Sequence, residues 1–461
     1  MRKIAIVGSG VAGLVCAHGL RQAGYSVTLY SDRTAEAWLS QSKPTGVAAR
    51  FERANAYERT LGLNHWDTTP AKYAGVHLTL CPALQNRLLT LTGRMSAACP
   101  GVDVRLQSSR WMRDLVDRGG AVEIGEVTIP RLEEIAREHD LTIVATGKGG
   151  IASLFPRDDA RSTYAEGQRH ITMVCFKGPP LRQEGMPFLA VKFQIIAPAG
   201  EMFWLPFHHK DVGPSWVVGL EARWGGPMDR FQGAKTAQEV LDLTRDVVRD
   251  VLPWERRWFD DAEVSDPLGF QVGAVLPIVR HPVGRLPSGQ VVTALGDTAI
   301  TYDPIAAQGA NSGVRMARDL VEAIVAREDR PFDEAWMLAA HERHWREHAQ
   351  HAMALSNMLL EAPSPWFVAY MVSQYGTDGV TDEGDGAQSL ADAFTENMND
   401  PSSLTPILQD PAKLRAFVRE KTGGFARTVV KRVPRLLRAQ VRQRLGREPG
   451  HPRVSGAAVA E

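Results

Sequence analysis

An α/β architecture with a parallel sheet and crossover helices is predicted by three stretches of this chain. The first is an apolar run, Lys3 to Val7, that leads directly into Gly8-Ser9-Gly10-Val11-Ala12-Gly13. A helically periodic segment from Leu14 to Ala23 and a second apolar run from Ser26 to Tyr30 follow it. The second stretch is Gln290 to Leu295, which ends in Gly296-Asp297 and is followed by Pro304 and by Gln308-Gly309-Ala310-Asn311 opening another helix. The third is Leu141 to Ala145, ending in Thr146-Gly147-Lys148. Strand, tight turn and helix in that order make a βαβ unit of the Rossmann type.

Each glycine of the first turn has a physical task. Gly8 suits the tight turn, Gly10 lets the backbone approach a diphosphate, and Gly13 lets helix and strand pack closely, while Val11 and Ala12 open the helix whose amides face the phosphates. Asp32, with Arg33 beside it, stands about 20 residues beyond the motif, where an acid accepts ribose hydroxyls.

That unit serves NAD(P) and FAD alike, and the second stretch discriminates. A strand that delivers Asp297 to ribityl hydroxyls, then a helix whose N-terminal amides at Gly309, Ala310 and Asn311 face a flavin pyrimidine, suits a cofactor that becomes anionic on reduction. Pro304, Gln308, Gly309 and Asn311 are therefore assigned to the flavin edge, at the reacting end of the site. No side-chain nucleophile is assigned, because a flavin carries its own reactive oxygen. Thr146 and Gly147 bring the chain back beside the cofactor. Arg105, at the start of the helix that begins in Val102-Asp103-Val104, offers a guanidinium fork suited to a diphosphate.

Composition bounds the rest. The 461 residues suffice for two to three domains. Lys+Arg and Asp+Glu number 53 each, so bulk charge calls for neither nucleic acid nor a membrane surface. Cys16, Cys81, Cys99 and Cys175 have no ligand spacing, which points to reduced thiols and a cytoplasmic location. The apolar start resembles a signal peptide only superficially, since glycine spacing interrupts it, and no later run has the ~18 to 20 apolar residues of a membrane span.

With these motifs in place, the chain resembles the oxygenase component of the styrene and indole monooxygenases. The matching stretches are GSGVAG at 8 to 13, VTLYSDR at 27 to 33, VDVRLQSSRWMRDLVDRGG at 102 to 120, TIVATGKGGIASLF at 142 to 155, ALGDTAITYDPIAAQGAN at 294 to 311 and FTENMNDP at 394 to 401. The resemblance implies a glutathione-reductase-like FAD domain with an inserted β-rich substrate domain and a helical C-terminal region. The corresponding boundaries are 1–160 and 276–325 for the FAD domain, 161–275 for the substrate domain, 326–412 for the helical region and 413–461 for a basic tail.

The resemblance also implies chemistry. Reduced FAD comes from a separate NAD(P)H-dependent flavin reductase, reacts with O2 to a C4a-hydroperoxide, and passes one oxygen to an aromatic alkene or indole as an epoxide. Homodimerisation is left open. Two rivals also remain: a self-sufficient NAD(P)H-dependent aromatic hydroxylase and a non-oxygenating flavin redox protein. Against the first, the Asp-Gly motif of single-component hydroxylases is replaced by Ala145-Thr146-Gly147, and there is no second GxGxxG unit. One departure concerns the substrate, because Ser42-Lys43-Pro44-Thr45-Gly46 stands where an Arg-Leu-Leu-Asn-like segment is expected ahead of Val47 and Ala48. Styrene, indole and other aryl alkenes therefore stay open.

An oxygenating flavin needs a dry cavity. Apolar strand-like runs at Thr172 to Phe176, Phe188 to Ile196, Phe203 to Phe207 and Trp216 to Leu220 supply material for its wall. His341, His344, His348 and His351 share one helical stripe, read as solvated or partner-facing rather than metal-binding, and no metal is assigned. The acidic loop 376–388 lacks the twelfth-position Glu of a calcium loop. The tail from Lys413 to Arg447 is basic and amphipathic, open to solvation, an acidic reductase or an anionic membrane, with Gly423-Gly424 and Pro434 expected to interrupt any long helix.

Overall fold

The computed structural model describes residues 1–444 except 48, 148, 182–185 and 382. Ala48, Lys148 of the ATGK motif, and the tail from 445, including Arg447, lie outside the described residues. The chain divides into two compact units: Met1–Thr68, Val102–Gln168 and Ala274–Asn357 form the first, and Thr69–Gly101, Arg169–Gly273 and Met358–Glu461 the second.

The first unit is built on a six-stranded sheet, in the order Val283–Arg285, Val291–Ala294, Leu141–Val144, Lys3–Val7, Ser26–Ser31, Ala121–Ile124. All neighbours run parallel except the first pair. Ile4 sits opposite Val27 on one side and Leu141 on the other. Strands buried on both faces read as continuous apolar runs, and Ile4, Ile6, Leu29, Ile143 and Val292 accordingly lie in one core with Leu14 and Leu20 of the helix Val11–Gln22.

His18, on the buried side of that helix, is locked as a neutral imidazole. Its Nε2 lies 2.9 Å from the Trp111 carbonyl and its Nδ1 3.1 Å from Arg118 Nη1, so one nitrogen donates and the other accepts. Burial lowers its pKa from 6.5 to about 4. A depressed folded pKa means that protons bind the unfolded chain better, so this contribution is fully present above pH 6.5 and is lost as pH falls through about 4. Urea unfolding at a series of pH values is expected to show His18→Gln flattening the acid limb by roughly 1.4 kcal/mol per pH unit in that window.

The second unit carries the sheet Glu263–Val264, His170–Lys177, Gly213–Ala222, Gly200–His209, Val191–Ile196, Lys72–Cys81, Leu89–Pro100, with Phe270–Ala274 also pairing His170–Lys177. One face packs Trp204, Trp216 and Trp258 edge to face, with Trp216 and Trp258 centroids 4.7 Å apart. The helix Ala237–Val251, started by a Thr236/Glu239 capping box, covers it. Strand alternation turns Phe193, Phe203, Leu205 and Phe207 to the opposite face, where Phe193 and Phe203 stack at 5.6 Å.

Residues 69–101 depart from the boundaries expected from sequence. They belong to the second unit because Lys72–Cys81 pairs in parallel with Val191–Ile196, a long-range register with no local signature. Likewise 326–357 stays with the first unit and the remaining C-terminal helices join the second. Within FTENMNDP, Asn397 is structural: its Oδ1 accepts from the Leu404 and Thr405 amides and so caps the helix Pro401–Leu408.

The basic tail also differs from expectation. Gly423, left-handed at φ +73°, ends the helix Pro411–Thr422, but Phe425–Arg444 then continues as one helix through Pro434. Its buried Arg432 donates to Asp385 (2.6 Å) and to the Tyr375 carbonyl, while Lys431 pairs with Asp385 and Arg435 with Glu383. Packing and ion pairs to the acidic loop thus outweigh the one backbone bond that proline removes. No helix among the described residues is long and apolar enough to cross a membrane.

Candidate cofactor site

The glycine turn after Lys3–Val7 is set by close contacts on every side but one. Gly8 has φ +121°, and a Cβ there would sit 2.3 Å from the Ala145 carbonyl oxygen; one on Gly13 would sit 2.1 Å from the Gly8 oxygen. A Cβ on Gly10 would meet nothing within 4 Å. Gly10 therefore borders open space, at the N-terminus of a helix with no side-chain cap, whose first amides have no partner within the helix. This geometry suits a diphosphate. Ser9 pins the turn from behind: Trp38 Nε1 donates to Ser9 Oγ (3.0 Å), which lies 2.7 Å from Ser31 Oγ, and Ser31 in turn donates to the Arg33 carbonyl.

The second stretch folds against the first. Gly296 is left-handed at φ +62°, with the space beside its Cα bounded by Ala12 Cβ at 3.0 Å. The Gly147 amide donates to Thr298 Oγ1 at 3.0 Å. A carboxylate oxygen of Asp297 lies 3.9 Å from where a Gly309 Cβ would be. Three stretches distant in sequence thus meet, with Ala145 against Gly8 and Gly13, Gly147 on Thr298 and Gly296 against Ala12.

The helix Gln308–Arg327 begins at Ala307, itself left-handed at φ +52° with no side-chain cap. That conformation costs a non-glycine residue roughly 1–2 kcal/mol, a strain typical of ligand-holding turns, and it leaves the amides at Gln308, Gly309 and Ala310 without partners in the helix. Two of the polar side chains assigned to the flavin edge hold backbone. Asn311 accepts from the Phe51 amide (2.8 Å) and donates to the Ala49 and Ala307 carbonyls. Gln308 donates to the Ala306 carbonyl at 2.8 Å. Pro304 opens a single turn capped by Asp303. The open cradle and the uncapped helix suit the diphosphate and the anionic pyrimidine of FAD.

Asp32 is exposed and forked to its neighbour Arg33, which also donates to Ser42 Oγ (2.8 Å) and lies over the Trp38 ring. Arg105 and Asp103 are both wholly buried and bidentate, Nε to Oδ1 at 2.9 Å and Nη2 to Oδ2 at 2.7 Å, while Arg105 Nη1 reaches the Ser42 carbonyl at 3.4 Å. The Ser42–Gly46 segment, which departs from the family pattern, is thereby held at its start by Arg33 and Arg105.

Three of the four histidines of the stripe make inward contacts rather than facing solvent. His344 pairs with Asp319 (2.7 Å), His348 lies 2.8 Å from Ser312, and His341 lies 2.9 Å from Thr293. His348 lies in a π-helical turn over Trp345–Ala349, while His341 and His344 make their inward contacts ahead of it. His344 and His348 brace the helix Gln308–Arg327 through Asp319 and Ser312.

Sequence reasoning missed Trp38 and Ser9, as well as Arg280, whose Nη1 donates to the Asp297 carbonyl at 3.1 Å. Ser9 stands inside the glycine motif, but nothing local names its partners.

Residues 147–257 match the family model "Styrene monooxygenase A putative substrate binding domain", and residues 6–60 match an NAD(P)-binding Rossmann-like domain. Two curated relatives, each a styrene monooxygenase StyA, come from Pseudomonas fluorescens and a Pseudomonas sp. Each is 28% identical over 426 residues, covering 90% of this chain and 96% of the relative. Among solved structures, the flavin-dependent brominase Bmp2 aligns with TM-score 0.62 at 15% identity over 91% of this chain and 99% of its own. The halogenase PltM aligns with TM-score 0.58 at 10% identity over 99% of both. These structures share the fold.

Proposed function

We propose that this chain, which belongs to the styrene monooxygenase family of FAD-dependent flavoproteins, is the oxygenase half of a two-component system. It takes reduced FAD from a separate NAD(P)H-dependent reductase and epoxidises an aromatic alkene or indole. The observation that carries this reading is the meeting of three distant stretches, Ala145 against Gly8 and Gly13, Gly147 on Thr298, and Gly296 against Ala12, in a chain similar to styrene monooxygenases over nine-tenths of its length.

Reduced FAD, when bound, would supply the two electrons that activate O2, and O2 would supply the oxygen atom that is transferred. The protein's own residues bind, orient and exclude water. Amides at Val11 and Ala12 hold the diphosphate and Asp297 orients the ribityl chain. The uncapped amides after Ala307 stabilise negative charge on the reduced ring. Asn311 fixes Ala49 and Phe51 beside that helix end. A styrene-sized substrate and a water-sensitive oxygen donor would require a dry, apolar pocket.

The test is turnover of styrene and indole by the purified protein. Epoxide-derived product is expected when an unrelated flavin reductase with NADH and FAD is supplied, and none with NADH and FAD alone. Equal turnover without a reductase would establish the self-sufficient hydroxylase instead. Absence of oxygenated product from every alkene, with FAD bound and reduced, would leave only the redox-protein reading.

A further inference from the structure

We infer that Arg280 is the cation that closes on the FAD diphosphate, an inference that rests on the flavin reading above. Its backbone is fixed before its side chain is considered. Ile278–Val279 pairs with Ile300–Thr301, and the Arg280 amide donates to the Ala299 carbonyl at 2.9 Å. The side chain then reaches the turn that carries Asp297, donating from Nη1 to the Asp297 carbonyl, which also accepts from Thr301 Oγ1. That turn lies against the phosphate cradle through Gly296 and Ala12, and against Gly147 through Thr298. Arg280 is thus attached to the one turn that touches both other stretches.

The guanidinium is placed but not satisfied. Among the described residues its only side-chain hydrogen bond is the one to the Asp297 carbonyl, so most of its five donors remain available, and no carboxylate pairs with it. It is partly withdrawn from water, and that desolvation lowers its pKa in spite of the nearby Asp297 charge. Its unused donors can receive an anion without breaking an existing ion pair. A diphosphate is an anion whose oxygens match the guanidinium fork. Arg105 is the contrasting case, because its fork already grips Asp103.

The experiment compares FAD with riboflavin, which lacks the diphosphate, by flavin fluorescence titration of the full chain with and without Arg280→Gln. The expected result is an FAD Kd raised roughly 10- to 100-fold, a riboflavin Kd within about twofold of wild type, and a shallower dependence of FAD binding on salt. Arg280→Lys, which keeps charge without the fork, should fall between, and it carries the test if the glutamine variant does not fold. FAD binding by Arg280→Gln equal to wild type overturns the inference and leaves the flavin reading standing. Equal losses of FAD and riboflavin overturn it in favour of a structural role. Failure of the wild-type chain to bind FAD removes the flavin reading itself.

Discussion

Gly10→Val leaves the apo protein folded with an unchanged thermal midpoint and loses FAD by at least ~100-fold in Kd, about 2.7 kcal/mol. The two halves of that expectation come from one measurement on the backbone. A Cβ at Gly10 meets no protein atom within 4 Å, and the local backbone, φ −76° and ψ 177°, is one that valine adopts readily. The side chain would therefore occupy only the volume in which the diphosphate must approach the amides. Gly13→Ala is the opposite case, since its Cβ would lie 2.1 Å from the Gly8 carbonyl. It should lower the midpoint and lose FAD in proportion to unfolding. Calorimetry and fluorescence titration on the same two samples separate these outcomes; a Gly10→Val protein that binds FAD normally would show that the diphosphate lies elsewhere.

The glycine turn was legible because its constraints are local. Gly8, Gly10 and Gly13 differ in what a Cβ would strike, and the spacing alone assigns those differences. The parallel strands were legible for a related reason, as buried on both faces they carry apolar runs without alternation. What failed to show in the sequence depends on pairing between distant segments. Lys72–Cys81 joins the sheet of the second unit only through its register with Val191–Ile196. Arg280 comes beside Asp297 only because Ile278–Val279 pairs with Ile300–Thr301. The histidine stripe misled because its inward partners, Thr293, Asp319 and Ser312, are distant in sequence. Pro434 misled in a different way. Propensity argues for a break, but the ion pairs of Arg432 and Arg435 with Asp385 and Glu383 hold the helix through it.

Arg105→Met is expected to cost the first unit about 3–5 kcal/mol of folding stability, the penalty for leaving a buried charge without its partner. Asp103 and Arg105 are both at 0% side-chain exposure, so neither can recover hydration when the other is removed. Asp103 also accepts from the Arg105 amide as the N-cap of the helix Val104–Asp117, a role an asparagine keeps. The double variant Asp103→Asn with Arg105→Met should therefore regain most of the stability that the single variant loses. Urea unfolding of the two single variants and the double gives the coupling directly. FAD affinity is the discriminating readout. If Arg105 only holds the helix start, the double variant binds FAD nearly as wild type does. If instead its midpoint recovers while its FAD Kd stays raised as far as that of Arg280→Gln, then Arg105 also faces the diphosphate, and the cradle would use two guanidinium groups rather than one.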